Sequence, residues 1–145
     1  MVKEVSSTGE IVKTMQDMVA KYAGDVDFAL DWPIEQFFGL VSHMPYVVEP
    51  LELKRQILQR PSLTFGQGPI KACANKAICI ASWCSRKGYP WQFVVSANNV
   101  DRPFSHVFCR AKIEGVVVPI DATYFWNVLG DEKSHAKTQS FDWSK

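Results

Sequence analysis

The chain has 145 residues, of which 47% are hydrophobic and 21% charged, with 16 basic against 15 acidic side chains and a net charge of +1. A chain of this length can bury a core without covalent staples, and so even a charge balance gives no electrostatic footprint for nucleic acid or an anionic membrane as partner. No apolar run reaches the roughly 18–20 residues that span a bilayer, so no membrane span is expected. The opening MVKEVSSTGE lacks the apolar core of a secretion signal, and synthesis in the cytoplasm is expected. The cysteines at 73, 79, 84 and 109 and the histidines at 43, 106 and 135 do not fall into a zinc-ligand spacing. The expectation is free thiols, no metal and no cofactor.

In chain order, Ser7 and Glu10 read as a capping box. Ile11, Met15, Met18, Val19 and Tyr22 then form the apolar stripe of a first helix, which Gly24 should stop. Pro33 suits the first turn of a second helix, running through Phe37, Phe38, Leu40 and Val41 to Pro45. Pro50 is read as opening a third, shorter helix with Leu51, Ile57 and Leu58. Two prolines and two glycines from Pro61 to Pro69 predict a loop. Residues 70–87 are helical again, closed by Gly88 and Pro90. Ala72, Ala74, Ala77, Ile78, Ile80, Ala81 and Trp83 leave this helix little polar face, and a helix apolar nearly all round is buried. Cys73, in its first turn, should therefore emerge from the middle of the protein.

Trp91 to Ala97 reads as a strand, followed by a polar loop through Asn98, Asn99 and Asp101. Two more strands follow between about Ser105 and Thr123, which places the strands within 91–124. The order is helices first, then strands: the α+β class, with a small antiparallel sheet. Residues 1–130 are expected to form one domain, with N-terminal helices in 1–60, and 131–145 a loose polar tail.

The last two strands permit a sharper reading. Glu114-Gly115 can serve as a two-residue hairpin turn, so that 113 faces 116, 111 faces 118 and 109 faces 120. In that register Val107, Cys109, Ala111 and Ile113 share one apolar face with Val116, Val118, Ile120 and Ala122. The period-two rule sends His106, Phe108, Arg110 and Lys112 to the other face, with Val117, Pro119, Asp121 and Thr123. Asp121 then lies diagonal to His106, at about 7–8 Å between α-carbons, within reach of its ring.

A thiol at a helix start, an imidazole and a carboxylate make a nucleophilic set. An ordinary thiol, with a pKa near 8.5, is mostly protonated at neutral pH, and a helix N-terminus beside an imidazolium favours the thiolate. The histidine takes and returns the proton, and the aspartate fixes its tautomer and orientation. Cys79, Cys84 and Cys109 read as small core hydrophobes. His43 ends a helix and His135 lies in the tail, so neither belongs to the set. Trp32, Trp83, Trp91 and Trp126 read as core or cleft walls.

Three segments carry a family resemblance. Cys73-Ala74-Asn75-Lys76-Ala77 leads into Ser85-Arg86-Lys87-Gly88-Tyr89-Pro90, which is similar to Arg-x-x-Gly-Ile-Pro. His106-Val107-Phe108 is similar to His-Ala-Trp, and Ile120-Asp121-Ala122-Thr123 to Val-Asp-Pro-Thr. In this order they resemble the transglutaminase-like superfamily of papain-like cysteine hydrolases and acyltransferases. Tyr46 and Gln59-Arg60-Pro61 are similar to residues that precede the cysteine in short bacterial and phage members. The chain departs from the family at Lys71-Ala72, where a small-acidic pair is usual, at Asn75, where an acidic residue is usual, and at Ala122 in place of proline.

The resemblance implies a papain-like fold and a Cys73–His106–Asp121 triad. Gln67, six residues before Cys73, stands where papain-like enzymes place an oxyanion-hole glutamine. The implied activity is a peptidase or amidase working through a thioester on a protein or peptide, cell-wall peptide included. Hydrolysis is the first expectation, because no second domain to bind an amine donor is visible. Two alternatives stay open: a transglutaminase joining protein amides to amines, and a retired enzyme kept as a structural part. The likeness to phage members also admits a protein packaged in a virion.

Overall fold

The computed structural model describes residues 2–5, 8–45, 56–66, 72–101, 104–132 and 135–144. The elements run β1 (Val2–Val5), α1 (Thr8–Tyr22), a 3-10 turn (Ala23–Ala29), α2 (Ile34–His43), β2 (Gln56–Gln59), α3 (Pro61–Phe65), α4 (Cys73–Lys87), β3 (Trp91–Ala97), β4 (His106–Ile113), β5 (Val116–Ile120) and β6 (Lys137–Ser140). The fold mixes helix with an antiparallel four-stranded sheet in the order β5-β4-β3-β6, and β1 and β2 form a separate antiparallel pair.

The first helix buries Met15, Met18 and Val19 of the expected stripe, with Ile11 and Tyr22 partly buried at its ends and Val12 buried as well. The α-helix ends at Tyr22, just before Gly24 as expected. The backbone tightens into the 3-10 turn, whose Val26 and Ala29 are fully buried. Two acids hold that turn from outside: Asp25 receives both Arg60 nitrogens at 2.8 and 2.7 Å, and Asp27 receives Arg86 at 2.8 and 2.9 Å. Core burial and the two bidentate pairs hold this turn in place after the helix has ended. Asp25 also corrects the expected loop at 61–69. Its carboxylate accepts the Ser62 amide at 3.0 Å, and Pro61 fits the first helical position, so 61–65 coils into the short helix α3.

Helix α2 runs as expected from Pro33. The third helix expected from Pro50 fails where the described residues can show it. Residues 46–55 lie outside them, Tyr46 included, but Ile57 and Leu58 belong to strand β2, paired with β1 in the register Glu4↔Ile57 and Lys3↔Leu58. Leu58 points into the core. The Gln59 amide is held by Asn75 Oδ1 at 2.8 Å, which docks β2 on α4.

Helix α4 is central, and every residue from Cys73 to Cys84 is buried. Gly88 takes the left-handed conformation at φ +80° and returns its amide to Cys84 and Ser85, the cap that ends the helix. Three residues later β3 starts and runs back along α4. Fifteen helical residues span roughly 22 Å. Seven strand residues span roughly 23 Å. The lengths match, so the far end of β3 returns to the level at which α4 began. There Ser96 pairs with His106. The connection therefore brings the first turn of α4 to the end of the sheet where β4 starts.

The hairpin has the register read from the sequence, Cys109↔Ile120, Ala111↔Val118 and Ile113↔Val116, with Glu114 and Gly115 at positive φ in the turn. Val107, Cys109, Ala111, Ile120 and Ala122 join the core, whereas Val116 at the tip is exposed. The stretch after Gly130 is not a loose tail. Residues 137–140 form β6, paired with β3, and Phe141 and Ser144 extend the contact through amides bonded to Phe93 and Trp91 carbonyls.

Candidate active site

His106 is the first residue of β4, and Asp121 is the residue just past the end of β5. Both stand at one end of the sheet, above the start of α4. Their side chains meet, with Nε2 of His106 2.7 Å from Oδ2 of Asp121. Thr123 turns back on the same carboxylate and donates to Oδ1 from its hydroxyl at 2.6 Å and its amide at 3.2 Å. The Asp121 carbonyl accepts Asn127 Nδ2 at 3.1 Å. The carboxylate is therefore fixed from three sides, and its side chain is 8% exposed, against 22% for His106.

These contacts set the charges. Burial opposes a charge on His106 and is the largest single influence. The hydrogen bond to Asp121, a hydrogen bond to Cys73 and the negative charge of both partners outweigh it, and the pKa rises to about 10. Burial likewise opposes the Asp121 carboxylate. The His106 hydrogen bond and charge, followed by the two Thr123 bonds, override it and hold Asp121 below its ordinary value. At neutral pH the pair is an imidazolium and a carboxylate.

Cys73 is the first residue of α4 and lies near enough to the His106 ring to contribute to its raised pKa. Asp121 takes Nε2, so Nδ1 is the nitrogen left to face a thiol. The first-turn amides of a helix point outward from its start and favour an anion there. The structure thus gathers Cys73, His106 and Asp121 at one place.

The other sulfurs differ. All four cysteines are free, and all are buried. Burial pushes Cys84 up to about 12 and Cys109 well above its ordinary value, which keeps both protonated. Gln67 lies outside the described residues. His43 ends α2, bonded to the Gly39 carbonyl at 2.9 Å. His135 stacks on Phe108 at 5.6 Å between centroids, and Phe108 stacks on His106 at 6.0 Å. The tail therefore supplies the cover over the back of the site. Burial, then the charge on His106, lowers the His135 pKa.

The residues that follow Asp121 and Thr123 are aromatic. Tyr124 stacks on Trp126 at 4.5 Å, with Phe125 edge-on to Trp126 at 5.0 Å. A hollow of about 130 Å³ beside Asp121 is lined by Trp126, Asn127, Val128 and Asp131. Trp126 thus lines that hollow, while Trp83 and Trp91 are core. Thr123 and Asn127 are site residues that sequence reasoning missed as contacts, although the Asp-x-Thr spacing of a side-chain-to-backbone turn was there to be read. Among the described residues no group of three or more His, Cys, Asp or Glu side chains could hold a metal ion, and no helix is long and apolar enough to cross a membrane. Comparison of the chain with protein-family models, curated proteins and solved structures finds no match.

Proposed function

We propose that the protein is a thiol-dependent acyl-transfer enzyme of the transglutaminase-like, papain-like type, acting as a peptidase or amidase. The observation that carries this reading is the His106–Asp121 pair at 2.7 Å, with Cys73, at the start of a buried helix, near enough to the same imidazole to raise its pKa. A central helix packed on a small antiparallel sheet supports the papain-like reading of the fold.

The imidazolium of His106 favours the thiolate of Cys73. The sulfur adds to an amide carbonyl, and the charge that develops on oxygen is met by the Cys73 amide and a second donor, for which Gln67 is the proposal from the sequence. When the tetrahedral adduct collapses, the C–N bond breaks and His106 gives its proton to the leaving amine. A thioester and a neutral imidazole remain. His106 then takes a proton from water, the hydroxide adds to the thioester, and the C–S bond breaks to release a carboxylic acid and restore the thiolate–imidazolium pair. Asp121 keeps Nε2 bonded throughout and stabilises each imidazolium stage.

An amine in place of water would make the same site a cross-linking transferase. The test offers peptides and cell-wall stem peptides with and without a primary amine, and follows acid and new amide by mass. Acid formed without added amine supports hydrolysis. Product formed only with amine replaces it by cross-linking, and no product from any peptide, with Cys73→Ser retaining full biological function, replaces both by a structural role.

A further inference from the structure

Lys76 lies one turn after Cys73 on α4 and is 1% exposed. An ammonium withdrawn from water must recover its hydrogen bonds inside the protein. Nζ donates to the Met44 and Thr123 carbonyls at 2.7 Å each and to the Ser42 carbonyl at 3.5 Å. Ser42 and Met44 lie at the C-terminal end of α2, where unpaired carbonyls concentrate negative potential and suit a cation. Thr123 is the residue whose hydroxyl and amide hold Asp121. A closed circuit results. From Cys73 the backbone of α4 leads to Lys76, Nζ reaches the Thr123 carbonyl, Thr123 bonds Asp121, Asp121 bonds His106, and the His106 ring lies within electrostatic reach of Cys73.

We propose that Lys76 is a positioning residue, whose ammonium ties the cysteine helix to the 121–123 segment and so sets Asp121 and His106 at their distance from the thiol. The catalytic consequence rests on the acyl-transfer reading above; the tether itself does not. A purely structural lysine would affect folding stability alone. A tether would also move the ionisation of His106, whose ring faces Asp121 from just past β5, Cys73 from α4 and, within electrostatic range, His135 from the tail.

The test has a wild-type arm and a variant arm. In the wild type, the Lys76 ammonium should give a slowly exchanging nitrogen–proton signal coupled across hydrogen bonds to the Met44 and Thr123 carbonyl carbons. A rapidly exchanging, uncoupled ammonium overturns the proposal. In Lys76→Met, which keeps the aliphatic stem, the His106 titration followed by NMR should move back toward the ordinary histidine range. Alkylation of Cys73 by iodoacetamide at pH 7 should slow on the order of 10- to 100-fold, the scale of a small misplacement of reacting groups. Val26→Ala, a core change remote from the circuit, should lower stability while leaving both profiles at wild type. If Lys76→Met does not fold, Thr123→Val breaks the next link, keeps the carbonyl that Lys76 holds, and should move the His106 titration in the same direction. A folded Lys76→Met with the wild-type titration overturns the tether. A wild-type Cys73 no more reactive than Cys84 overturns the acyl-transfer reading instead, and the His106 titration still reports on the tether.

Discussion

Cys73 and Cys84 lie on one helix about three turns apart, both buried and both free. At the far end of α4, Cys84 sits among apolar side chains, with its thiol pushed to about 12 by burial, under a helix end closed by Gly88. At the near end, Cys73 meets His106, Asp121 stands behind His106, and Lys76 spans to the carbonyl of Thr123. Burial is nearly the same at both ends, so burial does not distinguish a structural thiol from a reactive one. Polar partners on neighbouring elements do. Phe37 stacks on Trp83 at 5.6 Å and Trp83 Nε1 reaches the Ala29 carbonyl at 3.0 Å, so the far end serves stability. The near end carries the charges of Lys76, Asp121 and His106 inside a hydrogen-bonded circuit, an arrangement that costs stability and that a purely structural helix has no use for.

The sharpest way to break this contrast is to remove one member of the near end. Cys73→Ser should abolish turnover, by up to about 10⁶-fold, with little change in the fold, and His106→Ala should be nearly as damaging. The double variant should be little worse than either single one, because the members act as a unit. Asp121→Asn should cost up to about 10⁴-fold through loss of the correct tautomer. Steady-state rates on the peptide substrate check all four. At the far end the expected loss is of another kind. Trp83→Ala should remove about 3–5 kcal/mol of stability in urea denaturation, with the Cys73 alkylation rate unchanged while the protein stays folded.

A smaller effect lies in the pH dependence of stability. The folded chain keeps the His106 proton that the unfolded chain gives up above roughly pH 6.5. The stabilisation is complete below that pH, falls as pH rises, and is gone above about 10. Asp121 works in the opposite direction: its contribution is present above the unfolded carboxylate value and is lost as acid takes the pH through its lowered folded value. Urea midpoints should therefore decline from pH 7 to 9 in the wild type and stay nearly flat over that interval in His106→Gln. The buried thiols Cys84 and Cys109 add a decline common to both proteins, which the difference removes.

The near end was legible in unequal parts. The hairpin register could be read because two independent signals agree, the turn at Glu114-Gly115 and the clean sorting of apolar residues by twos. That Cys73 would meet the hairpin was also encoded, in the matching lengths of α4 and β3 and the short Gly88–Pro90 connection, but it needs the two elements measured against each other. Lys76 was hidden, because one lysine in an apolar helix reads as the solvated exception to the pattern. Strand β6 was hidden for the converse reason: Lys137, Thr138, Gln139 and Ser140 form a largely exposed edge strand with no alternation to detect. Ile57 and Leu58 misled because a four-residue strand, paired with the N-terminal strand β1, has no period long enough to separate it from a helix.

The most direct measurement is the rate at which each cysteine of the native protein reacts with iodoacetamide at neutral pH, mapped by peptide mass, in the wild type and in His106→Ala. The account predicts label on Cys73 well before Cys79, Cys84 and Cys109, and a marked slowing at Cys73 alone when His106 is removed. Equal rates at all four thiols, or a Cys73 whose rate does not change without His106, would contradict it.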